Sequence, residues 1–247
     1  LKEVAMPGNP LLLLVQVSCA PEHQGPFNTW YNSHLPNLLR IPAYLWAQRY
    51  ICIEDNNRFS ALYGVRRVDD LPTILQREGP HMHPMAAKEF AAWVNLMGIS
   101  DRLTNVYEQI YGDPLRDPLL LSNRPLSLVT VDVDPAHEEE FNRWYNESHV
   151  PNLLKVPGYV LAGRFRALDH PAVKNFNTGH RYLAIYEHES EEIIPSLRDR
   201  ERMSPEARAE FGMWESVGKP HTTGFGWGFY RLISKHFKWP DEESRAV

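Results

Sequence analysis

Several features are scarce in this chain of 247 residues, and each scarcity excludes a class of protein. Its two cysteines, Cys19 and Cys52, are too few for a disulfide framework. Cys52 lies in an apolar, strand-like run, which favours a buried side chain over a reactive thiol. The apolar run Leu11–Val17 is far too short to cross a bilayer. We therefore expect a cytoplasmic protein without a membrane partner.

Basic clusters and nucleotide-binding motifs are also missing. The formal net charge is −5, and no stripe of Lys and Arg could follow a phosphate backbone, so we expect no nucleic-acid partner. No Gly-rich phosphate loop of the G-x-G-x-x-G or P-loop type is present. His81 and His83 form an H-x-H without nearby carboxylates, which indicates surface histidines. The sequence thus predicts no metal site and no nucleotide cofactor.

What the chain does contain is a long internal repeat. Residues 27–45 read FNTWYNSHLPNLLRIPAYL, and residues 141–160 read FNRWYNESHVPNLLKVPGYV. The second copy has one extra residue, in Glu147-Ser148. A shared stretch of this length indicates two homologous modules in tandem. We place them at residues 1–115 and 116–247, with a linker at 112–125 that is rich in Pro, Gly and Asp.

Each module has the same predicted order of elements, β-α-β-β-α-β. The predicted strands are Leu11–Val17, Leu45–Ile53, Phe59–Val65 and Leu103–Tyr111 in the first module, and Leu126–Val133, Val160–Leu168, Tyr182–His188 and Phe225–Ile233 in the second. The repeat forms the first helix of each module. The second helix is Pro84–Met97 in one and begins at Ser204-Pro205 in the other, with equal Phe-to-Trp spacing.

This order is that of a ferredoxin-like unit, whose four-stranded sheet carries helices on one face only. The other face needs a cover, and the sheet of the second module can supply it. The predicted fold class is α+β: two tandem ferredoxin-like modules that form a pseudo-symmetric α/β barrel within one chain.

The pattern F-N-x-W-Y-N-x-x-H-x-P-x-L-L-x-x-P-G-Y resembles the dimeric α/β-barrel superfamily, especially its EthD-like members. Both modules match over the first helix and the second strand; elsewhere only the order of elements matches. Relatives in this superfamily include muconolactone isomerases, polyketide cyclases, cofactor-independent monooxygenases, EthD-like dehydratases and haem proteins such as chlorite dismutases. The resemblance implies the fold, but it does not select one chemistry.

The repeated histidines are the first candidate site residues. Helical spacing from Phe27 and Phe141 places His34 and His149 on the apolar side of the first helix, despite the extra residue. Each histidine either binds backbone groups freed by Pro36 or Pro151, or lines a pocket. The resemblance supports the second reading, because EthD-like and isomerase relatives often have a pocket histidine at this helix end.

An arginine follows each histidine by fifteen residues, in the second strand: Arg49 and Arg164. Burying an arginine is costly unless it meets an anion. Either it holds a carboxylate, phenolate or enolate of a substrate, or it forms a salt bridge with the other module. Tyr63 and Tyr186 occupy matching places in the third strand and supply either a hydroxyl or half-buried core.

The final strand distinguishes the modules. In the second module glycines alternate with aromatic residues, so one face is bare backbone and the other is an aromatic row, formed by Phe225, Trp227 and Phe229. The bare face either leaves room for a ligand or admits a close neighbour. His221 could reach the mouth of the second pocket. These features favour the second module as the main active site.

Together these residues favour a cofactor-independent enzyme that acts on a small aromatic or polyketide-like substrate by proton transfer, as a lyase, dehydratase or isomerase. His149 and His34 are the candidate acid–base groups, and Arg164 and Arg49 the candidate oxyanion partners. The predicted ring-packing residues are Trp144, Tyr145, Phe225 and Trp227 in the second module, and Trp30 and Tyr31 in the first.

The alternatives are a cofactor-free monooxygenase and a non-catalytic binding protein. Haem is a minority reading, with His149 or His221 as axial ligand; a homodimer is left open.

Overall fold

The computed structural model describes residues 10–75, 81–112 and 122–237. The predicted module boundary, most of the linker and the tail after Phe237 lie outside these residues. Within them, eight strands close into an antiparallel barrel. The strands are β1 (Leu11–Cys19), β2 (Tyr44–Cys52), β3 (Arg58–Val65), β4 (Ile99–Gly112), β5 (Leu126–Val133), β6 (Tyr159–Ala167), β7 (Tyr182–His188) and β8 (Thr222–Phe237).

The order around the barrel is β1-β3-β2-β8-β5-β7-β6-β4. The four strands of the first half are contiguous as β4-β1-β3-β2, and those of the second half as β8-β5-β7-β6. The halves meet where β2 pairs with β8 and where β4 pairs with β6. The structure is therefore a mixed α+β fold around a closed antiparallel barrel.

The strands bury both of their faces. Alternate residues of β1, such as Leu12 and Leu14, join an apolar core inside the barrel, while Leu11 and Leu13 pack under helices outside it. Every residue of β7 is buried. Two-sided burial explains why these strands read as apolar runs instead of an alternating pattern. The outer face of each half carries its own core, and both candidate cavities lie in that layer between sheet and helices.

The helices cover the outer faces of the barrel. They are α1 (Gln24–Leu38), α2 (Leu71–Leu75), α3 (Pro84–Val94), α4 (Glu138–Trp144), α5 (Val150–Leu153), α6 (Ile194–Arg198) and α7 (Pro205–Met213). Two π-helical turns, Tyr145–His149 and Trp214–Gly218, follow α4 and α7. Ser204 caps α7 as predicted, since its hydroxyl accepts a hydrogen bond from the backbone N–H of Ala207. In the described ranges no helix is both long and apolar enough to span a membrane.

Several boundaries differ from the prediction. β4 and β8 are longer than expected because each pairs with two partners in succession; β8 pairs with β5 through Tyr230 and with β2 from there to Phe237. α3 ends at Val94, not Met97. The helix after β5 begins at Glu138, and before it Asp134 accepts a hydrogen bond from the N–H of Ala136 in a turn of its own.

Candidate active site

The larger cavity lies in the second half and has a volume of about 370 Å³, within the range of sites for small organic ligands. Its floor is the outer face of the sheet, where Ser127, Tyr186 and Trp227 lie on neighbouring strands. Its roof is the first π-helical turn together with α7 and the turn that follows it. The lining is mainly apolar, with a few polar groups among the aromatic rings.

His149 and Glu210 form a buried pair on the wall of this cavity. The Nδ1 of His149 lies 3.1 Å from Oε2 of Glu210. Both side chains are less than a tenth exposed. A carboxylate at Nδ1 holds the proton there and leaves the lone pair on Nε2. Within the described residues Nε2 has no hydrogen-bond partner, which leaves it available to a ligand in the cavity.

Aromatic rings fix the imidazole of His149. The indole of Trp144 stacks on it at a centroid distance of 4.9 Å, and Trp214 lies 6.0 Å away on a ring tilted by 32°. The ring of Tyr145 meets it edge-on at 4.7 Å. These contacts leave the imidazole little rotational freedom, so the orientation of its nitrogens is set before a ligand arrives.

The first π-helical turn explains how the extra residue of the second copy is accommodated. In the first copy α1 runs unbroken through His34, four residues after Trp30. In the second copy His149 follows Trp144 by five residues, and the turn Tyr145–His149 is π-helical. Because a π-turn holds one residue more than an α-turn, Trp and His stack in both halves.

A smaller cavity of about 120 Å³ lies in the equivalent place of the first half. There Nδ1 of His34 lies 2.8 Å from Oε2 of Glu89, and Asn37 donates a hydrogen bond to the other oxygen of that carboxylate. Burial lowers the pKa of His34, although its bond to Glu89 opposes the shift. Burial also disfavours the charged form of Glu89, but the hydrogen bonds from His34 and Asn37 outweigh it and lower the pKa of Glu89 overall.

The two glutamates are functional candidates that the sequence reasoning missed. Each immediately precedes the Phe of the repeated Phe-to-Trp spacing, in Glu89-Phe90 and Glu210-Phe211. The motif E-F-x-x-W therefore occurs in the second helix of each half, as well as at Glu140 in α4, and its glutamate could have been recognised as a candidate. Its partner could not, because 55 and 61 residues separate the carboxylates from their histidines.

The matched tyrosines line the cavities. Tyr186 donates a hydrogen bond of 2.9 Å to the hydroxyl oxygen of Tyr145, and both residues line the larger cavity. Burial raises the pKa of Tyr145, and the charge of Arg164 opposes that rise. In the first half Tyr31 and Tyr63 line the smaller cavity, and burial raises the pKa of Tyr31 to about 12. All four hydroxyls are protonated at neutral pH, so Tyr145 can donate its proton to a ligand.

The two arginines are fully buried but line neither cavity. Arg164 donates to the side-chain oxygens of Asn142 and Asn146, at 2.8 and 2.5 Å. Arg49 donates to Asn28 at 2.7 Å, and its Nε is buried without a partner among the described residues. The structure thus places neutral amide oxygens and aromatic rings around these cations, not the carboxylate or ligand anion considered from the sequence.

The aromatic row of β8 faces the larger cavity, and the bare row does not. Phe225 and Trp227 line the cavity, and the ring of Phe225 lies 5.5 Å from that of Trp214. On the opposite face a side chain at Gly224 would meet His180 and Asp132. The glycine face of β8 therefore admits close neighbours and does not leave room for a ligand. The space for a ligand lies on the opposite face, which carries the aromatic side chains.

Two further predicted residues lie beside the cavity instead of on its wall. Trp144 stacks on His149, and its indole N–H is buried without an acceptor among the described residues, as is that of Trp30. Trp30 itself lines the smaller cavity. His221 does not line the larger cavity; its ring lies 4.1 Å from that of His137, centroid to centroid, and is tilted by 31° to it.

The described side chains are poorly suited to hold a metal ion or haem. The described part of the chain has no cluster of three His, Cys, Asp or Glu side chains that could hold a metal ion. Haem fits the larger cavity poorly, because its two propionates need cationic partners. Among the described residues Lys219 is the one Lys or Arg on that wall, and it already pairs with Glu215 at 3.1 Å. His83, of the H-x-H pair, accepts a hydrogen bond from the N–H of Met85 at the start of α3.

Comparisons with known structures find the same fold over nearly the whole chain. The chain is similar to the structure of an anthrone oxidase-like protein, with 13% identity, a TM-score of 0.67 and coverage of 93% of this chain and 94% of that one. It is also similar to a proposed monooxygenase from Fusobacterium nucleatum, with 10% identity, a TM-score of 0.59 and coverage of 94% and 96%. A third similar structure is of a proposed chlorite dismutase, with 11% identity, a TM-score of 0.55 and coverage of 92% and 96%.

These neighbours are of the dimeric α/β-barrel type, which agrees with the broad resemblance derived from the sequence. The narrower EthD-like resemblance stays a prediction. Residues 127–211 match a family model described as a domain of unknown function, DUF4286, which covers well under half of the chain. A comparison with curated proteins found no match.

Proposed function

We propose that this chain is an enzyme that binds a small aromatic or polyketide-like compound in the larger cavity and removes a proton from it. The supporting observation is the pair formed by His149 and Glu210 on the wall of an aromatic cavity. Nε2 of His149 is the base. Glu210 fixes the tautomer and stabilises the imidazolium that forms, as an acidic partner does for a catalytic histidine elsewhere.

The proton comes from an acidic C–H or O–H bond of the ligand, and the electron pair of that bond stays on the ligand as an enolate or phenolate. Tyr145 is suited to stabilise the new oxyanion, because its oxygen already accepts from Tyr186 and its own O–H is free to donate. Arg164 assists from behind the ring of Tyr145. The imidazolium then returns the proton to another atom, which completes an isomerisation, or to a departing hydroxyl, which leaves as water in a dehydration.

A second candidate is cofactor-free monooxygenation, which the names of the neighbouring structures favour. It begins with the same proton transfer. The carbanion then reduces O₂, and the resulting hydroperoxide loses water to give a ketone; one oxygen atom enters the product and the other leaves in water. This reaction needs O₂ as its oxidant and no cofactor. The isomerase or dehydratase reaction consumes no O₂.

The experiment is a turnover assay on polycyclic aromatic ketones, anthrone among them, with O₂ consumption and product formation followed together. His149→Ala should lower turnover at least about a hundredfold. His34→Ala, the same change in the smaller cavity, should keep turnover within about threefold. Product formed without consumption of O₂ supports the lyase or isomerase reaction. Consumption of one O₂ for each product molecule supports the monooxygenase reaction. Saturable binding without product on the whole panel would indicate a binding protein and overturn the proposal.

We also propose that the halves are tandem ferredoxin-like modules, residues 1–115 and 116–247. The repeated strand order within each half supports this organisation. The second half fills the place that a partner subunit takes in a dimeric barrel, so a monomer is the simplest assembly. Analytical sedimentation would distinguish this monomer from a homodimer. We also propose a cytoplasmic location. Fragments divided at residue 115 should associate into the native barrel on mixing; fragments that stay apart would contradict the modular reading.

A further inference from the structure

The floor of the larger cavity contains a second buried polar pair. Nε2 of His188 lies 2.9 Å from Oγ of Ser127. Ser127 lines the cavity, while His188 is fully buried beside Tyr159 and Phe229. Neither residue contacts His149 or Glu210 in the hydrogen bonds described above. The pair is therefore separate from the proposed proton-transfer site, although both border the same cavity.

The first half has no such pair. In strand register Ser127 lies opposite Tyr186, just as Leu13 lies opposite Tyr63. His188 is two residues beyond Tyr186, and Val65 is two residues beyond Tyr63. The first half thus has Leu13 and Val65 where the second has a serine and a histidine. Both of those apolar residues belong to the core of the first half, under the smaller cavity.

The polar pair is costly to bury. Nδ1 of His188 is buried and makes no hydrogen bond of acceptable geometry among the described residues, although the backbone of Gly158 lies close enough to the ring to raise its pKa slightly against the effect of burial. Burial lowers the pKa of His188 to about 4, so the ring is neutral near pH 7. Apolar side chains fill the same positions of the first half without this cost. The fold therefore does not require the pair, and the cavity beside it offers the reason for its presence.

The tautomer of His188 determines what Ser127 can do. The backbone of Gly158 makes no hydrogen bond of acceptable geometry to Nδ1, so a proton there would be a buried N–H without a proper acceptor, which is less tolerable than a buried lone pair without a donor. The proton of His188 therefore belongs on Nε2, where it is donated to Oγ of Ser127. The serine then has its own O–H free to donate. It can meet an acceptor oxygen of a ligand, such as a carbonyl or phenolate oxygen.

We infer that Ser127, oriented by His188, is a second anchor of the larger cavity, which binds an acceptor oxygen of the ligand at the sheet. Preferred ligands are then aromatic compounds with oxygen at two positions, one near His149 and the other at Ser127. The first of these positions rests on the proposed function; the second rests on the serine–histidine pair alone. Ser127 is a positioning residue here, since it fixes the ligand and exchanges no proton with it.

The test is equilibrium binding to the full chain, followed by tryptophan fluorescence, with two tricyclic probes of similar shape. Anthraquinone carries two carbonyl oxygens, and 9,10-dihydroanthracene carries none. Ser127→Ala should weaken anthraquinone binding about tenfold and change dihydroanthracene binding less than twofold. Ser127→Leu with His188→Val, which installs the pair of the first half, should abolish the preference for anthraquinone. Ser60→Ala is the matched control, because Ser60 is equally buried and borders neither cavity.

Equal effects of Ser127→Ala on both probes, or no effect on either, would overturn the inference. Ser127→Cys, of similar size and weaker as a donor, keeps the test valid if the alanine variant unfolds; it should show the same selective loss, of intermediate size. Binding is measured without turnover, so the two proposals fail separately. A protein that discriminates the probes through Ser127 but turns over no substrate would refute the proposed function and leave the anchor intact.

Discussion

The guanidinium carbon of Arg164 lies 4.0 Å from the centroid of the Tyr145 ring, and that of Arg49 lies 4.1 Å from the centroid of the Tyr31 ring. Each arginine is thus placed behind a tyrosine that lines a cavity. The sequence suggested direct contact with a substrate anion, whereas the structure separates the cation from the cavity by an aromatic ring. An effect of the arginine on a ligand passes through the tyrosine, by holding its ring and favouring charge on its oxygen.

Arg164→Met tests how far the arginine is structural. The change leaves the side-chain oxygens of Asn142 and Asn146 without their donor and removes the cation beside Tyr145. We expect the free energy of unfolding to fall by about 3 kcal/mol, because hydrogen bonds to a buried charge are lost together. Urea denaturation measures it, with Arg49→Met as the matched variant. A loss below about 0.5 kcal/mol would contradict a structural role.

Glu210→Gln tests the partner of the proposed base. Glutamine can still accept the Nδ1 proton of His149, but it lacks the negative charge that stabilises the imidazolium. We expect kcat/KM to fall at least about tenfold, with little change in the unfolding free energy. Glu89→Gln, in the smaller cavity, should lower kcat/KM less than about threefold. Equal losses in the two variants would mean that both cavities serve the reaction.

Deleting Glu147 tests the π-helical turn. The deletion gives the second copy the spacing of the first, W-Y-N-S-H, and should convert Tyr145–His149 to α-helix. The fold should survive, because the first half has that helix. We expect kcat/KM to drop about a hundredfold if the imidazole moves by about 1 Å. Circular dichroism confirms folding, and unchanged kinetics would show that the turn does not position His149.

Much of the architecture could be predicted because it depends on local pattern. The apolar runs identified all eight strands of the described residues, the repeat identified the first helix of each half, and the cap at Ser204 identified the start of α7. Strand ends were less accurate where one long strand pairs with two neighbours in succession along its length, as β4 and β8 do. No local pattern reports that a strand continues onto the other half of the barrel.

Only some of the candidate site residues could be predicted from the sequence. His34, His149 and the aromatic residues around them were identified because the repeat marks them. Their carboxylate partners and the Ser127–His188 pair were missed, because contacts between distant segments decide them. Charge reasoning also favoured an anion for Arg49 and Arg164. Asparagine oxygens and ring faces surround these cations instead, and a sequence pattern does not distinguish the two solutions.

The buried His188 predicts how stability depends on pH. Its folded-state pKa is about 4, below the ordinary value of 6.5, because burial disfavours the charged ring. Between these values the unfolded chain binds a proton that the folded chain does not, so stability falls as pH falls through this window. Between pH 7 and pH 5 the loss from His188 should be about 2 kcal/mol. His34, whose pKa is also lowered, adds to the loss in the same direction. In His188→Val the difference in unfolding free energy between pH 7 and pH 5, measured with urea, should shrink by about that amount. An undiminished pH dependence in the variant would mean that His188 accepts a proton in the folded chain as readily as in the unfolded one.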